Sequence, residues 1–270
     1  MSAQVNLSFY RFYRMGTPAE LQERKAELRA FCRAHSLKGT ILLAPEGVNV
    51  MICGEASAIA AFREKAKELF GVTDRDFKEA EDPGNSFHRM LIKIKKEIIT
   101  IGATEIKPDF KTAPRVAPKE LKRWLDEKKP LVLLDTRNQY EIEVGTFKGA
   151  EQFHLDTSRE FAAKAKENLH RLEGKTVVTF CTGGIRCEKG AALLQDLGLK
   201  DVFQLDGGIL RYFEENGAAH YDGQCFVFDW REAVDGELKP AKRSEDPKDF
   251  GRHKALATGE ASADPSRRKD

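Results

Sequence analysis

Much of what this chain could be is excluded by what it lacks. Apolar stretches such as Ile41 to Ala44 and Leu131 to Leu134 fall far short of the roughly 20 residues that a membrane-spanning helix needs. Met1 to Tyr13 alternates apolar and polar residues like a strand and lacks the apolar centre of a signal peptide. The five cysteines, Cys32, Cys53, Cys181, Cys187 and Cys225, are odd in number and scattered, with no Cys-x-x-Cys pair. That argues against both a disulfide framework and a zinc knuckle, and for a reducing cytoplasm. No Gly-x-Gly-x-x-Gly occurs, so no dinucleotide fingerprint is present. With 45 basic and 43 acidic side chains the net charge is only +2, which gives no global attraction to nucleic acid and leaves local basic patches as the electrostatic route.

What is present reads as two domains, the default for 270 residues. Val5 to Tyr13 is a strand, and Thr17-Pro18 followed by Glu20 is a helix start that runs to His35. Ile41 to Leu43, the turn Pro45-Glu46-Gly47 and Val48 to Ile52 make a hairpin. Ala56 to Phe70 is a second helix capped by Gly71, and Met90 to Ile101 is expected as the fourth strand. This order predicts a ferredoxin-like α+β sandwich over residues 1–103. Residues 104–117 carry Pro108 and Pro114 and read as a linker. Lys93, Lys95 and Lys96 just upstream, with Lys107, Lys111 and Arg115, concentrate positive charge near the domain junction. The charge reads first as a solvated linker; an RNA-contacting surface is the functional reading, which charge alone does not establish.

Residues 118–217 alternate short apolar strands with helices, the pattern of a parallel α/β sheet whose ligands sit beyond the carboxyl ends of the strands. Residues 218–235 are expected to pack on this body, and 236–270, poor in apolar residues, to form a disordered tail.

The chemistry concentrates in Cys181-Thr182-Gly183-Gly184-Ile185-Arg186, between the strand ending at Phe180 and a helix expected near Cys187. Unpaired amides at a helix N-terminus make an electropositive cradle. With Arg186 they favour S⁻ over SH and lower the thiol pKa of Cys181. Thr182, Gly183, Gly184 and Ile185 are therefore expected to bind the reacting group. Six residues suit a small anionic sulfur group such as a persulfide, whereas a loop that wraps a tetrahedral phosphate is one residue longer. Cys187 reads equally as a resolving thiol and as a small residue filling the first helical turn. His154-Leu155-Asp156 has the H-x-D spacing of an iron facial triad, but no second His is fixed by spacing, so no metal site is predicted.

The loop, with Asp135-Thr136-Arg137, the segment from Tyr140-Glu141 to Gly149-Ala150, and Leu205-Asp206-Gly207-Gly208, resembles a rhodanese domain. More narrowly, Cys181 to Lys189, Pro45-Glu46-Gly47-Val48-Asn49, Lys95-Lys96-Glu97-Ile98 and Gly145 to Ala150 resemble the bacterial tRNA uridine hydroxylase family, which joins an acylphosphatase-like domain to a rhodanese domain. The resemblance implies oxygen-dependent hydroxylation of the wobble uridine of tRNA at ring position 5. It makes Cys181 the catalytic residue, through a persulfide, with Arg186 as its anion partner. It places Asp135 and Arg137 beside the loop as a structural ion pair. The partners it implies are tRNA and a small sulfur donor, with molecular oxygen as co-substrate and no other cofactor. No cysteine follows Cys225, so the Cys-rich C-terminal extension of many members is missing. A persulfide sulfurtransferase and a non-catalytic RNA- or protein-binding module are the alternatives.

Overall fold

The computed structural model describes residues 4–82, 86–106, 108 and 112–241. The first domain runs β1 (Gln4–Phe12), α1 (Pro18–Ala34), β2 (Lys38–Ala44), β3 (Gly47–Glu55), α2 (Ala56–Phe70), β4 (Lys78–Glu81) and β5 (Met90–Ile94), with sheet order β4-β1-β3-β2-β5. The start of α1 is the expected capping box: Thr17 and Glu20 each accept from the other's backbone N–H, and Pro18 opens the helix. Gly71, at φ 63, closes α2. Successive side chains of a strand point to opposite faces. On β1 this sends Leu7 and Phe9 into a core with Leu28, Ile59 and Phe62. Asn6, Ser8 and Tyr10 face the other way.

The fourth strand differs from expectation. Lys78–Glu81, passed over as polar, pairs antiparallel with β1, whereas Met90–Ile94 is a fifth strand on the far edge, parallel to β2. An edge strand with one wet face needs little apolar content, so Lys-Glu-Ala-Glu carries no hydrophobic signal. The expected linker is also no free connector. Within it Ile106, Ala113 and Val116 are buried, and Arg115–Val116 forms a sheet edge. Single apolar anchors without a period leave nothing for pattern reading to detect.

The second domain continues with β6 (Arg115–Val116), α3 (Pro118–Asp126), β7 (Val132–Asp135), α4 (Gln139–Ile142), β8 (Gly145–Phe147), β9 (Glu151–Gln152), α5 (Phe161–Asn168), β10 (Val177–Phe180), α6 (Ile185–Asp196), β11 (Val202–Leu205) and α7 (Gly208–Asn216). Five parallel strands lie in the order β6-β11-β10-β7-β9. One core joins α5 and α6 through Phe161, Ala191 and Leu194, and a second joins α3 and α7 through Leu121, Ile209 and Tyr212, so both faces are covered. The residues of β10, central in the sheet, are all buried, as expected for a parallel strand covered on both sides. Beyond α7, β12 (Tyr221–Gly223) pairs with β8, and β13 (Cys225–Phe226) pairs with β14 (Ala233–Val234). The chain stays ordered past the expected start of the tail: Leu238 packs on the second domain and the Ala241 N–H donates to Ala233 O. Those bonds are backbone bonds, invisible to composition. The rest of the expected tail, 242–270, lies outside the described residues. Among the described residues no helix is long and apolar enough to cross a membrane.

The two domains meet on α6. Lys189 Nζ donates to Glu46 Oε2 at 2.6 Å and Glu97 Oε2 at 2.7 Å, with all three residues buried. Ile185 packs beside them on Phe12, Ala44 and Ile98. Removing one partner of a buried ionic group costs about 3–5 kcal/mol because it strands the others. Lys189→Met should therefore lower the urea midpoint strongly, and adding Glu46→Gln and Glu97→Gln should restore much of the loss. Burial already raises the Glu46 carboxyl pKa. Such a group favours the fold below its folded pKa and disfavours it above, so the Lys189→Met defect should be larger at pH 8 than at pH 5.

Candidate active site

Cys181 leaves the carboxyl end of β10, and α6 begins at Ile185 with Gly184, at φ 103, as its N-cap. The helix thus starts two residues earlier than expected, and Ile185 and Arg186 lie in its first turn instead of in the loop. The Gly184 N–H donates to Cys181 Sγ at 3.1 Å, and the Cys187 N–H also faces that sulfur. The expected ring of amides from Thr182 to Arg186 therefore reduces to the Gly184 donor plus one just beyond the predicted span.

The loop's carbonyls turn outward. Cys181 O accepts from Ile209 N at 2.9 Å, Thr182 O from Leu210 N at 3.1 Å, and Gly184 O from Glu188 N at 3.0 Å. Gly183 O accepts from Lys78 Nζ at 2.5 Å, a donor from the first domain. Thr182 Oγ1 donates to Phe226 O at 3.2 Å, tying the loop to the C-terminal segment. Gly208, at φ 69, must be glycine, because a Cβ there would lie 2.4 Å from Cys181 O.

Arg186 has a different first partner from the one expected. Its guanidinium donates to both Glu141 oxygens, at 2.5 and 2.7 Å, and both residues are buried. Glu141 in turn accepts from the Asn138 N–H at 3.1 Å at the start of α4. Sequence reasoning missed Glu141 as a partner, although Tyr140-Glu141 stood in the rhodanese-like segment. Asp135 and Arg137 form a fully buried pair, with Arg137 Nη2 at 2.7 Å from both Asp135 Oδ2 and Gly145 O, and Thr146 Oγ1 donating to Asp135 Oδ2 at 2.8 Å. They fasten β7 to β8.

Burial alone would push the Cys181 thiol up. The hydrogen bond shared with Cys187, the charge of Arg186 and the two amides outweigh it and hold Cys181 well below the ordinary thiol range. Burial and the neighbouring Cys181 charge push Cys187 well above it. The sulfurs are 3.8 Å apart, so the pair is one thiolate and one thiol, and the single Cys187 S–H lies between two acceptors, the Cys181 sulfur and Gly184 O at 2.9 Å.

Cys181 is the floor of a cleft of about 400 Å³ between the loop and the outer face of the first domain's sheet, where Tyr10, Asn49 and Lys78 line the wall. At its edge Phe228 is 39% exposed, a singular exposure for a large apolar side chain among the described residues, and Arg186 lies 5.8 Å from its ring centroid. Of the expected RNA-contacting cations, Lys93, Lys95 and Lys96 are exposed, and Lys107 and Lys111 lie outside the described residues. Arg115 is engaged by Glu188 at 3.0 Å and Asp206 at 3.3 Å. His154 and Asp156 are exposed, and the described residues hold no cluster suited to a metal ion.

Residues 4–98 match the model of the UPF0176 acylphosphatase like domain, and residues 117–215 match the Rhodanese-like domain. A tRNA uridine(34) hydroxylase of Burkholderia pseudomallei is 46% identical over 245 residues, 87% of this chain and 81% of that protein. The chain belongs to the tRNA uridine(34) hydroxylase family. The relative of the same name from Cupriavidus necator is 46% identical over 242 residues, 88% of this chain and 85% of its own. A solved rhodanese-like domain from Anabaena sp. aligns with 49% of this chain and 89% of its own at 19% identity, with a TM-score of 0.36. The phrases that resembled the hydroxylase family meet in space: Glu46, Glu97 and Lys189, one from each of three of them, form the buried triad.

Thiol reactivity reads this geometry directly. Alkylation rate follows the thiolate fraction, so Cys181 should react with iodoacetamide at a plateau rate down to its depressed pKa and slow only below it. Cys32, Cys53 and Cys225, pushed up to about 12 by burial, should stay protonated and unlabelled. Peptide mass spectrometry at pH 6 should find the label on Cys181, and a label spread over several cysteines would contradict the assignment.

Proposed function

We propose that this chain hydroxylates the wobble uridine of tRNA at ring position 5 with molecular oxygen, using the Cys181 sulfur as the reacting group. The observation that carries this reading is the activated thiolate on the floor of a two-domain cleft, in a chain whose relatives are named tRNA uridine(34) hydroxylases. The chemistry supports it. A soft nucleophile adding at C6 of uracil, the electrophilic end of its enone, turns C5 into an enolate carbon. C5 is then the carbon that attacks oxygen, and expulsion of the sulfur with loss of the C5 proton restores the ring. Inserting one atom of O2 and releasing the other as water takes two electrons and two protons. The ring thus leaves as a C5 hydroperoxide, and the freed Cys181 thiolate breaks its O–O bond by taking the outer oxygen as a sulfenic acid, leaving the C5 hydroxyl. The Cys187 thiol then displaces that oxygen as water and closes a disulfide. The two sulfurs supply both electrons, Cys187 supplies one proton and solvent the other, and a cellular thiol reopens the disulfide. The cradle also suits a persulfide on Cys181 loaded from a small sulfur donor. Such an enzyme works in the cytoplasm, where tRNA is.

Cys181 is fully buried, so a base must leave its stack to reach it, and Phe228 is the aromatic face on which a splayed base can settle. Stacking on an aromatic side chain contributes roughly 1–3 kcal/mol per base. Phe228→Ala should therefore raise the KM for tRNA about fivefold or more with little change in kcat. Cys181→Ser should abolish 5-hydroxyuridine in tRNA from a strain carrying it as the only copy, measured by nucleoside mass spectrometry; wild-type levels in that strain would sink the proposal.

A further inference from the structure

Three of the four loop carbonyls find donors within the second domain, whereas Gly183 O is held by Lys78 Nζ of β4 at 2.5 Å. The same ammonium donates to Gly207 O at 3.0 Å, bridging the catalytic loop to the turn before α7. A trans peptide is planar, so the C=O of Gly183 and the N–H of Gly184 belong to one rigid unit and point in opposite directions. That N–H ends on Cys181 Sγ at 3.1 Å. A cation on the oxygen of this unit therefore fixes the rotation of its plane and polarises the N–H that faces the sulfur. The unit needs such a tether. It joins two glycines, Gly184 sits at φ 103, and residues this permissive do not hold a peptide plane by themselves. The ammonium sits close against this unit: a Cβ on Gly183 would lie 3.2 Å from Lys78 Nζ.

We infer that Lys78 is a positioning residue for the reacting thiolate, orienting and polarising the Gly183–Gly184 peptide from the first domain so that Cys181 ionises fully only when the two domains are docked. Direct Coulomb attraction acts in the same sense. Burial lowers the Lys78 pKa, and the Cys181 charge opposes that drop, so thiolate and ammonium stabilise each other. The other charged and titratable groups around them are Arg186, Cys187 and Tyr10 on the thiol side, and Asp206 and Glu214 on the lysine side. The inference rests on Cys181 being the reacting thiol of the proposed reaction, but its readout is thiol ionisation and needs no tRNA.

The test is the pH dependence of Cys181 alkylation in the full-length chain, followed by mass spectrometry, for wild type, Lys78→Met, Lys78→Gln and Lys78→Arg. Lys78→Met keeps the stem and removes charge and donors; it should raise the thiol pKa by about one unit, so that below that pKa the rate falls about tenfold. Lys78→Arg, which keeps charge and donors, should restore most of the wild-type titration. Lys78→Gln keeps one donor and should give a smaller shift than Met, which provides the measurement if Lys78→Met does not fold. Titrations of Met and Gln that superimpose on wild type would overturn the inference. So would a lowered melting temperature with an unmoved thiol pKa, because Lys78 would then be only a domain contact.

Discussion

The structure depends on the charges buried around a helix start. In its first two turns α6 carries Arg186, Glu188 and Lys189, each buried and each committed to a different wall. Arg186 is paired with Glu141, Lys189 with Glu46 and Glu97, and Glu188 with Arg115 and the Tyr10 hydroxyl at 3.0 Å. Buried ion pairs often add little net stability over apolar replacements. What they provide here is registration. Any rotation or slip of α6 strands at least one buried charge, so the helix has a single seat, and the loop that precedes it inherits that precision. Arg186 and Lys189 are three residues apart and so lie near each other on the helix surface, yet one reaches into the second domain and the other into the first.

The same arrangement explains how a thiolate survives out of water. Desolvation opposes ionisation of both cysteines, and the pair resolves the conflict by ionising one. Cys181 has the Gly184 amide; Cys187 keeps its proton and has the Gly184 carbonyl as acceptor. Arg186 lends its field from a position already neutralised by Glu141. That moderation has chemical value, since thiolate nucleophilicity falls as thiol pKa falls. An arginine bound directly and alone to the sulfur would make a better anion and a poorer nucleophile.

Parts of this were legible in the sequence because local physics decided them. Thr17-Pro18 with Glu20 made a capping box, Gly71 ended α2, and a buried apolar strand ahead of Cys-Thr-Gly-Gly marked the strand-to-helix loop that carries Cys181. What escaped was decided by distant contacts. Lys78 lies in a four-residue edge strand whose composition is that of a loop. Glu46 read as a turn residue, and only folding places it opposite Lys189. Arg186 read as the partner of the sulfur because loop spacing cannot show a carboxylate 45 residues upstream. The start of α6 was misplaced because glycine in the left-handed region serves equally as loop and as N-cap.

The two domains divide the work along these lines. In a sandwich of two helices on one sheet, one face of the sheet is left bare; here Asn6, Ser8, Tyr10 and Lys78 make that face polar and it roofs the cleft. A polar roof held at its edge by Glu46 and Glu97 leaves a volume above Cys181, whose own side chain is buried, the condition under which a few fixed donors govern a sulfur anion most strongly. A parallel α/β domain alone supplies the cysteine, its amide and its arginine. The first domain supplies the wall that makes the site a cleft, and, through α6, the reason the cleft keeps its shape.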